Sequence, residues 1–176
     1  MEYQELIEIR QARPDEYETV GELVVGAYRT LGDVSDELYL GQLRDVAGRS
    51  VDSEVLVARL GGRIVGTVTF VGGRGALAEV DDPNAATIRM LGVAPEARGQ
   101  GVGEALVREC IVRAGAARRD RVRLDTRTSM TGAQRLYERI GFRRDPAHDW
   151  SPAPGIELLG YVLDLESNDW GAELRS

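Results

Sequence analysis

The stretch TIRMLGVAPEARGQGVGEALVRECIVRAGAARRDRVRLDTR, residues 87–127, constrains the fold more than any other part of the chain. It opens on an apolar run that reads as a strand and passes glycines at 99, 101 and 103. An amphipathic helix follows, and the stretch closes on an alternating strand. Strand, helix and strand in so short a span make a βαβ crossover, whose two strands are parallel neighbours. The alternating glycines cannot pack a core and cost backbone entropy. Placed where a helix begins, they leave N–H groups and a partial positive charge open to an anion. Read physically, Arg98–Gly103 is a pyrophosphate cradle.

Around this unit the punctuation is clear. LIEIRQA alternates as an opening strand, and a helix follows from Pro14 to about Gly32. SDELYLGQLRDVAG reads as a second helix capped by Ser35. EVLVARLGGRIVGTVTFVGG is a hairpin turning at Gly61-Gly62. After the crossover, TGAQRLYERIG is a helix closing on Gly141, and FRRD and IELLGYVLDL are strands separated by a Pro-rich loop. The expected fold is a mixed α/β sheet, mostly antiparallel, with one central parallel βαβ unit. At 176 residues the chain reads as one domain over 1–165, with 166–176 as a tail.

The charge narrows the function. All 22 basic residues are arginine, so no lysine serves a Walker loop, a Schiff base or a general base. Between Arg98 and Arg144 stand twelve arginines and five acids; elsewhere ten arginines face twenty-four acids, within a total of −7. Such segregation suggests a polyanionic ligand and a cationic one, although a solvated helix face accounts for most of those arginines singly. The acidic whole, with no aromatics interleaved in the basic block, argues against nucleic acid. No apolar run is long enough to span a membrane, and the acidic start is unlike a targeting segment, so a cytoplasmic protein is expected. One cysteine, Cys110, excludes an internal disulfide and a multi-cysteine zinc site, and no metal is expected.

Among phosphate cradles, the Walker loop fails for want of its lysine. The dinucleotide fingerprint fails at its third glycine, where Glu104 stands, and at the APEA spacer between strand and glycines. The segment VAPEARGQGVGEALV instead resembles the acyl-CoA signature of the GNAT N-acyltransferases, Arg/Gln-x-x-Gly-x-Gly/Ala, with Arg98, Gly101 and Gly103 in place. TGAQRLYERIGF is similar to that family's later tyrosine-bearing helix, and the element order agrees over about residues 5–165.

The resemblance implies a fold opened between its two parallel strands to admit acetyl-CoA. Arg98, Gly99, Gln100, Gly101, Val102 and Gly103 would hold the pyrophosphate, and the backbone of Leu91, Gly92 and Val93 would pair with the pantetheine arm. An N–H near Leu91 would polarise the thioester carbonyl. Tyr137 would act as general acid toward the CoA sulfur. Two family features are missing: the strand glutamate, where Thr87 stands in ATIRML, and the asparagine seven residues before the tyrosine, which here is Met130. Ser129 is the candidate substitute for the second. Glu79, Asp81, Asp82, His148, Asp149 and a bound water remain as sources of a base. Acceptor recognition would fall to RTLGDVSDELY and DPAHDWSPAPG, whose Asp33, Asp36, Asp145 and Asp149 favour a small cationic amine. Trp150 is either a wall of that site or an anchor for its loop. A protein N-terminus or lysine as acceptor, and a non-catalytic acyl-CoA-binding module, stand as alternatives. A homodimer is compatible with all three.

Overall fold

Proline at 14 opens a short 3-10 turn, Pro14–Glu16, and the chain enters its first helix from there. Arg10 locks that entry by a two-pronged pair with Glu16 (2.8 and 2.7 Å), and the Arg13 N–H donates to the same carboxylate at 2.9 Å. The computed structural model describes residues 6–31, 36–79 and 81–165. The expected Ser35 cap, Asp33 and the tail 166–176 lie outside the described residues. Two compact groups of contacts are present: residues up to Phe70 with Met90–Glu109, and Val71–Arg89 with Cys110 onward.

The first unit holds β1 (Glu8–Gln11), α1 (Tyr17–Thr30), α2 (Glu37–Arg44), α3 (Val46–Arg49), β2 (Glu54–Leu60) and β3 (Arg63–Val71) up to Phe70. It also takes the last four residues of β4 (Ala85–Val93) and the first half of α4 (Val102–Ala116). β1 pairs antiparallel with β2. The β2–β3 hairpin turns at Gly61 and Gly62, whose φ of 56° and 78° match the turn that follows strand twist. Val24 and Val25 of α1 bury against Leu40 and Leu43 of α2.

The second helix is shorter than its sequence suggests. Asp36 caps it, accepting from the Leu38 N–H at 3.0 Å. It ends at Asp45, whose side chain accepts from the Gly48 N–H and starts α3. A short acid that bonds its own neighbouring backbone competes with the helical ladder, which explains the break.

In the second unit, β4 pairs in parallel with β5 (Arg121–Arg127), joining Ala85–Ile88 to Arg121–Leu124. β5 lies antiparallel to β8 (Ile156–Asp164), and β6 (Arg143–Arg144) pairs with β8 as well. Of the strand pairings described, only β4–β5 is parallel, as the crossover requires. α5 (Thr131–Ile140) stops at Gly141, where φ is 120°. The Pro-rich segment expected as a loop contains an edge strand, β7 (Trp150–Ala153), that hairpins onto β8 through Gly155. Proline is tolerated at such an edge because no ladder bond is asked of it.

Candidate functional site

The glycine cradle belongs wholly to the first unit. Gly99 and Gly101 have φ of 75° and 82°, and a Cβ at either would meet nothing within 4 Å. Positive φ is therefore the reason for glycine at both, and the space above them is open. The loop feeds α4, whose ladder starts with the Ala105 N–H on the Gly101 carbonyl. The N–H groups just before it are thus left to a ligand or water. Glu104 would repel an anion there, but its carboxylate is drawn down the helix to Arg108, at 3.0 and 2.9 Å. Gln100 bonds the Glu96 carbonyl, and Arg98 reaches the Ala27 carbonyl at 3.4 Å, so these two frame the loop by their side chains.

Tight packing holds the cradle in place. A Cβ on Gly66 of β3 would sit 2.7 Å from Val102 and 3.0 Å from Leu106. A Cβ on Gly92 of β4 would press Ala27 and Val24 of α1 at 3.2 and 3.3 Å. Gly92 therefore has a packing role of its own beside the backbone role expected of it. Met90, just before Leu91, has φ 53°, a local kink in β4 that re-aims the following backbone.

The second unit carries Tyr137 and a cavity. Tyr137, on α5, is 5 % exposed and stacks at an angle on Phe142 and Tyr161. Burial, and to a smaller extent Cys110, keeps its hydroxyl well above the ordinary phenol range, so it is a neutral O–H donor. Ser129 is exposed in the turn before α5, where its carbonyl accepts from the Thr131 N–H. Thr87 is buried, and its hydroxyl has no partner among the described residues.

A small cavity of about 40 Å³, open to solvent, is lined by Glu79, Asp125, His148 and Trp150 together with residues of β5 and β8. The Trp150 indole Nε1–H donates to Asp125 Oδ2 at 3.0 Å while the half-exposed ring lines the cavity, so Trp150 anchors its loop onto β5 and walls that cavity. Burial pushes the Asp125 carboxyl up from the ordinary aspartate value; Trp150, Arg89 and His148 oppose that, and Asp149 adds to it.

Three further acids are engaged in ion pairs. Asp82 holds Arg121 and Arg123 (3.1 and 2.7 Å), and Asp145 holds Arg123 (2.6 Å) and His148 (2.8 Å). Asp149 takes both prongs of Arg144 and the Gly160 N–H. Much of the basic block is thus spent on internal pairing. Of the four acids expected to face an acceptor, Asp145 and Asp149 are paired with arginines, Asp36 caps α2, and Asp33 lies outside the described residues. The sequence alone did not place Asp125 on the proton path. Its one available signal was the alternation of RVRLDTR, which sets a single acid on a strand face otherwise made of arginines.

A sequence profile described as the acetyltransferase (GNAT) family matches residues 15–142. The chain belongs to the GNAT acetyltransferase family. No curated protein matches its sequence. Among solved structures, a GNAT-family acetyltransferase from Staphylococcus aureus Mu50 is 19 % identical with a TM-score of 0.71, over 91 % of this chain and 99 % of that one. The yncA acetyltransferase of Salmonella typhimurium, solved with acetyl-CoA, is 17 % identical with a TM-score of 0.67, over 93 % and 96 %. A ribosomal-protein-alanine N-acetyltransferase from Brucella melitensis is 18 % identical with a TM-score of 0.66, over 90 % and 99 %. At these identities the likeness is one of fold.

Family membership makes acetyl-CoA-dependent acyl transfer the chemistry of this GNAT chain, with acetyl-CoA as co-substrate. Its cradle suits that donor: two open glycines, unspent N–H groups and a first-turn carboxylate tied away by Arg108. No helix among the described residues is long and apolar enough to cross a membrane.

Proposed function

We propose that this chain is a cytoplasmic N-acetyltransferase, moving the acetyl group of acetyl-CoA directly to a primary amine in a ternary complex, with a small cationic amine as acceptor. The cradle carries this reading, since open positive-φ glycines before a helix start have a polyphosphate as their natural occupant. Residues 1–165 would act as one domain, in keeping with a family match that runs through both compact units.

In this reading Arg98–Gly103 hold the pyrophosphate, with Ser129 as a further contact, and the Leu91–Val93 backbone pairs with the pantetheine arm and polarises the thioester carbonyl. The amine must first be neutral. For a lysine-like amine with pKa near 10.4, that costs about 3.4 units at pH 7, or roughly 4.6 kcal/mol. Attack on the carbonyl carbon then expels the thiolate. Tyr137 donates to the departing sulfur. With its pKa far above the roughly 8.5 of a thiol, it does not end as tyrosinate. Its proton moves to sulfur only as another arrives from the amine.

Free-thiol release from acetyl-CoA against a panel of amines tests this. Polyamines and basic peptide ends should outperform amines that bear a carboxylate, and the margin should shrink as salt rises, because exposed charges are screened beyond about 8 Å at 0.15 M. A protein that binds acetyl-CoA and acetylates none of the panel would sink the enzymatic reading in favour of a binding module.

A further inference from the structure

We propose that the cavity between β5 and the β7–β8 hairpin is the subsite for the acceptor's primary ammonium group, with the Asp125 carboxylate as the catalytic base that holds it and takes its proton. The inference rests on the amine-acetyltransferase reading and supplies what that reading lacks. Position 87 carries a threonine, and Asp82, Asp145 and Asp149 are each committed to arginines.

Asp125 differs from them in three ways. The only hydrogen bond to its carboxylate among the described residues is the one Trp150 gives to Oδ2, so Oδ1 is left for a ligand. It lines a solvent-connected cavity rather than a closed ion network. Glu79 lies on the same cavity, held only loosely by Arg89 at 3.7 Å, and adds a second negative charge. The half-exposed Trp150 ring offers an aromatic face of the kind that favours a cation. The one cationic side chain in the lining, Arg123, is clamped by Asp82 and Asp145. His148 has its Nδ1 turned to Asp145, and Tyr161 gives its hydroxyl to Glu138. Arg89 and Asp149 also act on Asp125, in opposite directions. Burial dominates and makes the carboxylate a stronger base than an ordinary aspartate, narrowing the gap to an ammonium tenfold per pKa unit.

The step balances without another reagent. The ammonium gives one proton to Asp125, and the freed lone pair forms the bond from nitrogen to the acyl carbon. The carbon–sulfur bond breaks with its electron pair on sulfur. The nitrogen's second proton ends on sulfur as the thiol, and the proton on Asp125 returns to solvent.

Asp125→Asn keeps an oxygen for the Trp150 indole and removes only the charge. With spermidine and 1,5-diaminopentane as probes, it should lower kcat/KM at pH 7 by 100-fold or more, within the range of a general base. Acetyl-CoA affinity by calorimetry should stay within twofold, and Tm should not fall. The decisive readout is the pH profile. Near pH 10, where much of the amine is already neutral, the variant should recover to within about tenfold of the parent, and Asp125→Glu should restore part of the pH 7 rate. A variant as fast as an active parent at pH 7, or equally impaired at every pH, overturns the role of Asp125 while leaving the acetyltransferase reading intact. A parent that binds acetyl-CoA but acetylates neither probe nor any other amine overturns both.

Discussion

Gly66 on β3 and Val102 at the start of α4 approach so closely that a Cβ on the glycine would lie 2.7 Å from a valine methyl. This contact seats the helix that presents the cradle on the β2–β3 hairpin. Gly66→Ala should therefore cost about 1–3 kcal/mol of stability, the usual range for overpacking. It should also weaken acetyl-CoA binding, because the N–H groups of the first helical turn move with Val102. Thermal unfolding and calorimetry on the same sample check both. Unchanged affinity with lowered Tm would separate the packing from the cradle.

Gly101 is a different kind of glycine, open in space but fixed at φ 82°. Gly101→Ala should weaken acetyl-CoA binding moderately, through backbone strain of about 1–2 kcal/mol. Gly101→Asp adds a like charge beside the pyrophosphate and should abolish binding. An aspartate variant that titrates like the parent would remove the cradle from the site.

Tyr137→Phe keeps the ring on Phe142 and Tyr161 and removes only the hydroxyl. Stability should change little and acetyl-CoA affinity not at all, while kcat should fall about tenfold or more. An unchanged kcat would make Tyr137 a core residue only.

Acid stability should follow Glu16 and Asp149. The Arg10 bond to Glu16 and the Arg144 bond to Asp149 bring each carboxyl down to about 2, from 4.5 and 3.8. In both cases the unfolded chain takes up the proton first. Their contribution is therefore full above about pH 5 and is lost as pH falls through 4.5 toward 2. Denaturant titrations at pH 7, 4 and 2.5 should show the loss. Glu16→Gln should flatten the dependence and lower stability at pH 7.

How much of this was legible beforehand follows the range of the interactions. Gly61-Gly62, the glycines at 99 and 101, and Gly141 announce themselves because each answers a local backbone demand: a tight turn, an open loop or a helix end. Apolar spacing within one element likewise marks the βαβ unit, whose two strands then have only one sensible pairing. By itself the sequence thus determined the mixed sheet, its parallel pair and the open glycine loop before α4.

Only the tertiary structure decided which acid is left to do chemistry. Asp125 meets Trp150 across 25 positions, and Asp82 meets Arg123 across 41, distances over which no periodicity carries information. Six acids among the described residues stood as candidates for the proton path or the acceptor side, and the sequence ranks them by charge alone. Folding sorts them by partner. Asp36 is spent on a helix cap, and Asp82, Asp145 and Asp149 on arginines. Asp125, which was not among them, keeps an oxygen toward the cavity because the hairpin that covers it brings an indole N–H, a single donor, instead of a guanidinium.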